Sequence, residues 1–243
     1  MCFSAEASFG AAAALLPIGG YCVQSALRKD RRYLPLALVP VAFGMQQAAE
    51  GCVWLGLHHG DEELVTRASV VFLYFALVFW PVWIPFSLLF TEERRPAKRL
   101  LAATTVLSLV WLLLYAPVAI DPGRWVQTDV VHHSIAYRVD GLPGFQVVPR
   151  PLWRLAYLAF ICGPLGLAQR GGGGTRLRAI GGSAVAVLFV ICYLVYEYTF
   201  TSVWCFFAAL LSLILCHLFF KLPFRRELAE TRTLPTLLLQ EEK

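Results

Sequence analysis

LPLALVPVAFGMQQAAEGCVWLGL, residues 34–57, carries a single charge, Glu50, between its first and last leucines. About 20 mostly apolar residues suffice to take an α-helix across the hydrocarbon core of a bilayer, so this stretch is long enough to span. Arg28, Lys29, Arg31 and Arg32 close it on one side. The pattern recurs along the chain. Apolar runs at 8–27, 34–57, 68–90, 100–119, 152–169, 179–199 and 202–220 predict an all-α membrane domain of seven transmembrane helices over 1–220, with a tail at 221–243. The fifth run is the weakest, being short and interrupted by Arg154, Gly163 and Pro164.

Composition points the same way. Of 243 residues, 58% are hydrophobic and 15% charged, and the mean hydropathy is +0.63. A soluble domain of this size carries about a quarter charged residues. Disorder, a nucleic-acid-binding module and an ordinary soluble enzyme are excluded on that ground. The N-terminal MCFSAEASFGAAAALLPIGG has no basic segment ahead of its apolar run, so it reads as a retained helix rather than a signal peptide. Cys22, Cys52, Cys162, Cys192, Cys205 and Cys216 fall within apolar runs, with no CxxC or zinc-type spacing, and read as packing residues.

The charges orient the helices. Sixteen of the 21 basic residues fall in the links after the first, third, fifth and seventh runs: Arg28, Lys29, Arg31 and Arg32; Arg94, Arg95, Lys98 and Arg99; Arg170, Arg176 and Arg178; Lys221, Arg225, Arg226, Arg232 and Lys243. Arg67, Arg124, Arg138, Arg150 and Arg154 lie on the other side. The positive-inside rule then places the N-terminus outside and the C-terminus in the cytoplasm of a multi-pass plasma-membrane protein. The one long loop, 121–151, lies outside, and is either a lid over the outer mouth or a loose connector. SIAYRVDGLPGF within it predicts a hairpin turning at Asp140-Gly141. The tail, KLPFRRELAETRTLPTLLLQEEK, reads as an amphipathic cytoplasmic surface helix. No pair of broken helices repeats, which argues against an inverted-repeat transporter.

Ionisable groups inside membrane spans are costly and mark candidate sites. Glu6, Glu50 and Glu197 qualify, and the orientation above puts all three in the outer half. Gln46 and Gln47 precede Glu50 by one turn and Trp54 follows it by one, so the four share a helical face. Gly51 lets a neighbouring backbone approach. Tyr193 and Tyr196 flank Glu197, and Trp204 and Phe207 follow across a short turn. Tyr74 stands on the third span, where Trp80 and Trp83 bracket Pro81 and read as packing or pocket floor. Helix adhesion and an interfacial aromatic belt are the structural alternatives for these residues.

The inventory excludes several chemistries. Lys29, Lys98, Lys221 and Lys243 all lie at helix ends or in the tail, so a retinal Schiff base has no lysine. His217 is the one histidine inside a span, which leaves a haem or buried zinc site without ligands. His58, His59, His132 and His133 read as surface residues. Neither a metal nor a cofactor is expected, and no phosphate-binding glycine motif is present.

MCFSAEASF, FGMQQAAEGCVWLGL, FWPVWIPFSLL and SVWCFFAALLSLIL together resemble a widespread, uncharacterised bacterial family of small membrane proteins. That resemblance covers most of the chain; it supports the fold and implies no activity. Size, helix number, membrane carboxylates and aromatic content are also similar, in architecture alone, to the integral-membrane terpene cyclases of meroterpenoid and indole-sesquiterpenoid pathways. Those enzymes protonate an epoxide or alkene and steer the carbocation that results. The residues suit such chemistry: a carboxyl in hydrocarbon holds its proton to higher pH, aromatic faces stabilise cations, and a dry pocket protects them. The expectation is a cofactor-independent cyclase acting on a prenylated substrate within the lipid bilayer. Glu50 would be the acid, with Glu197 or Glu6 as partner. Gln47 would orient it, and Gln46, Trp54, Tyr74, Tyr193, Tyr196, Trp204 and Phe207 would line the pocket. The competing expectation is a transporter or binding protein for a small cation or amphiphile.

Overall fold

The computed structural model describes residues 4–131, 134–139, 141–143, 146, 149–168, 187, 190–191, 212–217 and 219–220. Most of the sixth and seventh predicted spans lies outside them, as does the tail at 221–243. The described chain is mostly helical. Helix α1 runs Ala5–Lys29, N-capped by the Ser4 hydroxyl, which accepts from the Ala7 N–H. A 3-10 turn at Arg31–Tyr33 and the short α2, Leu34–Ala37, lead into α3, Val39–His59. Gly60 ends α3 in the left-handed region at φ 68°, where glycine carries no side-chain penalty. Asp61 then caps α4, Glu62–Leu73, which passes through a π turn at Tyr74–Phe79 into α5, Trp80–Leu89.

Helices α6, Arg95–Ser108, and α7, Val110–Ile120, follow. The short α8, Pro122–Trp125, precedes the strands β1, Gln127–Val131, and β2, Ser134–Arg138. Helix α9 spans Arg150–Ala168, over the fifth predicted run. Four helical paths, Ala5–Lys29, Arg31–His59, Glu62–Leu89 and Arg95–Ile120, are long and apolar enough to cross a membrane, by length and composition. They cover the first four predicted runs.

Small residues bring α1 against α3. The buried positions Ala5, Ser8, Ala12, Leu15, Gly19, Cys22 and Ala26 recur at three- and four-residue intervals, one stripe in which every member but Leu15 is small. A Cβ on Gly19 would stand 2.8 Å from the Val41 nitrogen, and one on Gly51 would stand 2.8 Å from the Phe9 ring. Gly44 meets Leu16 in the same way. As α1 advances through 9, 16 and 19, its partner recedes through 51, 44 and 41, so the two helices are antiparallel. Close backbone approach gains dispersion contacts, the main attraction available between helices in lipid.

The α4–α5 path breaks register for an identifiable reason. In the π turn the Trp80 N–H reaches back five residues to the Phe75 carbonyl, and Pro81 has no N–H to offer. The Ala76 carbonyl therefore lacks a main-chain donor, and the Tyr157 hydroxyl of α9 donates to it at 2.7 Å. The Tyr115 hydroxyl of α7 donates to Val70 just upstream. Two tyrosines from two other helices thus brace one irregular turn.

The hairpin corrects the expectation from sequence. Pairing runs from Gln127↔Arg138 to Val131↔Ser134, so the strands join across His132 and His133 and not across Asp140-Gly141. Beyond β2 the Leu142 N–H donates to the Val139 carbonyl at 3.1 Å. Pro143 follows, without a ladder donor, so SIAYR finds its partner upstream in QTDVV.

The far ends of α1 and the C-terminal described helix meet. Lys29 Nζ donates to the carbonyls of Phe219 and Phe220, each at 3.0 Å, and Ser25 Oγ donates to that of Phe219 at 3.1 Å. A lysine ammonium suits carbonyls at the negative end of a helix. Cys22, Ala26, Ala37 and Phe219 close the contact as an apolar cluster.

Candidate functional site

Helix α3 is the most enclosed of the four long paths, with 61% of its apolar window buried against 22% for α6–α7. That enclosure is where the sequence puts its polar side chains. Gln46, Gln47 and Glu50 are each 0% exposed. Gln47 Nε2 donates to Glu50 Oε2 at 3.4 Å, a long bond closed across one helical turn. Gln46 turns the other way, and its Oε1 accepts from the Trp80 indole N–H at 2.7 Å. The Trp80 ring stacks on Phe43, with centroids 3.8 Å apart. The buried Gln47 Oε1 accepts no hydrogen bond from the described residues.

The cluster is therefore a carboxyl and two amides walled on one side by a stacked Phe–Trp pair. Trp54, one turn beyond Glu50, is 4% exposed and packs in a cluster with Ala5, Val53, Ala68 and Ile135. Sequence spacing placed Gln46, Gln47, Glu50 and Trp54 together, but missed the hydrogen bond that Trp80, read there as packing or pocket floor, gives to Gln46. The available signal was the Trp80-Pro81 pair in the middle of a predicted span, a site of register change.

Two other candidates lie apart from this cluster. Glu6 is exposed in the first turn of α1, near His58. His58 is two turns beyond Glu50, or about 12 Å along α3. Tyr74 is 40% exposed and packs edge-on against Tyr115 and Phe75 at the π turn. Glu197, Tyr193, Tyr196, Trp204 and Phe207 lie outside the described residues.

The described cysteines, Cys22, Cys52, Cys162 and Cys216, are free thiols. Among the described residues, no group of three or more His, Cys, Asp and Glu side chains could hold a metal ion.

No curated protein and no solved structure matches the chain. A model described as a family of unknown function, DUF6629, matches residues 1–231. That match takes in the Gln46–Gln47–Glu50 segment and all of the described helices, and the chain belongs to this family.

Proposed function

We propose that the protein is a multi-pass plasma-membrane protein, with its N-terminus outside and its C-terminus cytoplasmic, in which Glu50 acts as an acid on a lipid-like substrate. The reaction assigned is a cofactor-independent terpene cyclisation: Glu50 protonates an alkene or epoxide of a prenylated molecule and the ring closes through a carbocation. Support for membrane placement comes from the four long apolar paths and from Val106, Leu113 and Ile120, which are 67%, 73% and 83% exposed on α6–α7. So large an apolar face suits lipid better than water. The Lys29–Phe219 contact supports an odd number of crossings, since it brings the C-terminal end of the first helix to residues beyond the seventh predicted run's midpoint.

One observation carries the catalytic reading: Glu50 is fully buried in an apolar helix core and hydrogen-bonded to a neutral amide, and Gln46, one turn away, holds the Trp80 indole that stacks on Phe43. A carboxylic acid so placed can deliver a proton, and aromatic faces in the same helix core favour a cation. Glu50→Gln preserves shape and hydrogen-bonding capacity but removes the proton. The expected result is a folded, normally extracted protein whose turnover falls by at least about a hundredfold. Near-normal turnover would remove Glu50 from the chemistry. A broad panel of prenylated and epoxidised substrates giving no product with the native protein would count against cyclisation itself.

A second reading is favoured by Gln47 Oε1, a buried acceptor beside a carboxyl with no donor among the described residues. That pair suits a ligand bearing N–H groups, as in a transporter or binder of a small cation. The two differ in product: a cyclase changes a lipid's retention time, whereas a transporter moves an unaltered solute across proteoliposomes.

A further inference from the structure

The hairpin formed by β1 and β2 sits over the end of the bundle that holds Trp54. Ser134, Ile135 and Ala136 are 2%, 0% and 2% exposed, so β2 faces protein and not solvent. Ile135 packs with Trp54, Val53, Ala5 and Ala68, drawn from α1, α3 and α4 together. Tyr137 stacks flat on the fully buried Phe72, with centroids 4.6 Å apart. The side chains of Ser69 and Thr128 hydrogen-bond at 3.0 Å. Trp54 is one turn beyond Glu50 on α3, so these residues cover the part of α3 next to the carboxyl.

We propose that the 127–138 hairpin is a removable plug, and that ligands reach Glu50 from the outer side when it lifts off α4. This inference rests on Glu50 being the site, as argued above, and adds how the site is reached. The hairpin satisfies its own backbone: five paired positions join β1 to β2, and Arg138 pairs with Asp129 across the strands at 3.3 Å. Its ties to α4 include the side-chain contacts named above. Lifting it breaks side-chain contacts, the Tyr137–Phe72 stack, the Ser69–Thr128 pair and the Ile135 packing among them, while every ladder hydrogen bond stays intact. The α1–α3 seam, interlocked at its backbones, has no such freedom.

The test joins hairpin and helix with Ser69→Cys and Thr128→Cys, in purified full-length protein. The disulfide, or a short bis-maleimide where the thiols do not close, is verified by peptide mapping. A water-soluble carbodiimide with an amine nucleophile then reports, by mass spectrometry, how fast Glu50 is labelled. Glu6, exposed at the same end, serves as internal control. The expected result is labelling of Glu50 in the reduced protein, at least a tenfold slower rate when the link is closed, and recovery on reduction or on cleavage of the linker. Glu6 should be labelled equally throughout. Tyr137→Ala, which removes the stack, should speed Glu50 labelling without any cross-link. Equal rates in linked and unlinked protein would overturn the plug, as would no labelling of Glu50 in the unlinked protein. Neither outcome depends on turnover, so failure of the plug and failure of the cyclase reading are separable.

Discussion

Replacing Tyr157 with Phe removes one oxygen atom and should destabilise the bundle by more than an ordinary hydrogen bond is worth. A typical intramolecular hydrogen bond contributes about 0.5–1.5 kcal/mol net, whereas leaving a buried polar group without any partner costs about 1–3 kcal/mol. The second case applies here. Ala76 is 2% exposed, the Trp80 N–H is engaged with Phe75, and Pro81 has no hydrogen to give. Without the Tyr157 hydroxyl at 2.7 Å, the Ala76 carbonyl has neither water nor a backbone donor. For a chain of this length, each kcal/mol shifts Tm by about 2–4 °C, so the expected loss is roughly 2–12 °C. Pro81→Ala supplies the control, because it restores an N–H five residues beyond Ala76, the spacing that a π turn uses. In that background Tyr157→Phe should cost only about 0.5–1 kcal/mol, since the carbonyl can take the new donor. Thermal unfolding of the four proteins of this cycle in one detergent measures the coupling. Strict additivity, or a Tyr157→Phe protein within about 1 °C of wild type, would refute the account of the turn.

Further outcomes follow from other parts of the molecule. Gly19→Ala should cost about 1–3 kcal/mol by overpacking the seam against Val41. Gly20→Ala, which meets nothing within 4 Å, should be neutral or stabilising in the same melts. On the link between α5 and α6, the Arg94 guanidinium holds the Glu92 carboxyl below the usual carboxylate range, with N–O contact at 2.9 Å. A depressed carboxyl stabilises the folded state above its unfolded pKa of about 4.3 and loses that contribution as pH falls through its folded value. Glu92→Gln should therefore cost up to about 1 kcal/mol near pH 7 and progressively less in acid. A reporter fused after Lys243 should read cytoplasmic and a tag in 121–150 should be reached from outside; labels reporting one compartment would mean a miscounted span, the fifth being the first suspect.

What the sequence made legible is what depends on short range. Apolar run length located the first four helical paths to within about six residues, because run length and composition are local properties of the chain. The α3 cluster was legible for a related reason: Gln47 and Glu50 are three residues apart, and helical geometry alone brings them to one face. Residues distant in sequence were less so. Gln46 and Trp80 are 34 positions apart, and nothing in either neighbourhood names the other. Glu6, read at the outer end of the first span, lies apart from the α3 cluster in the exposed first turn of α1, where an acid complements the positive end of the helix. The hairpin was legible as a type of element and misplaced in register, because Asp-Gly marks a turn whether or not strands flank it on both sides.

The π turn joins these local and distant features. A turn with one residue more than the α period offsets the downstream face by roughly 100° relative to the upstream one. Upstream, α4 presents Ser69 and Phe72 toward Thr128 and Tyr137 of the hairpin. Downstream, α5 presents Trp80 to Gln46, and Trp83 to the Pro35 carbonyl. One continuous path thus meets the plug with one face and the buried carboxyl cluster with another. The residues that fix the offset are Tyr115, Tyr157 and Pro81. Straightening the turn would move Trp80 relative to Gln46 or Phe72 relative to Tyr137, since the two faces can no longer both stay in register. Pro81 therefore matters less for bending the helix than for keeping its two faces assigned to different partners.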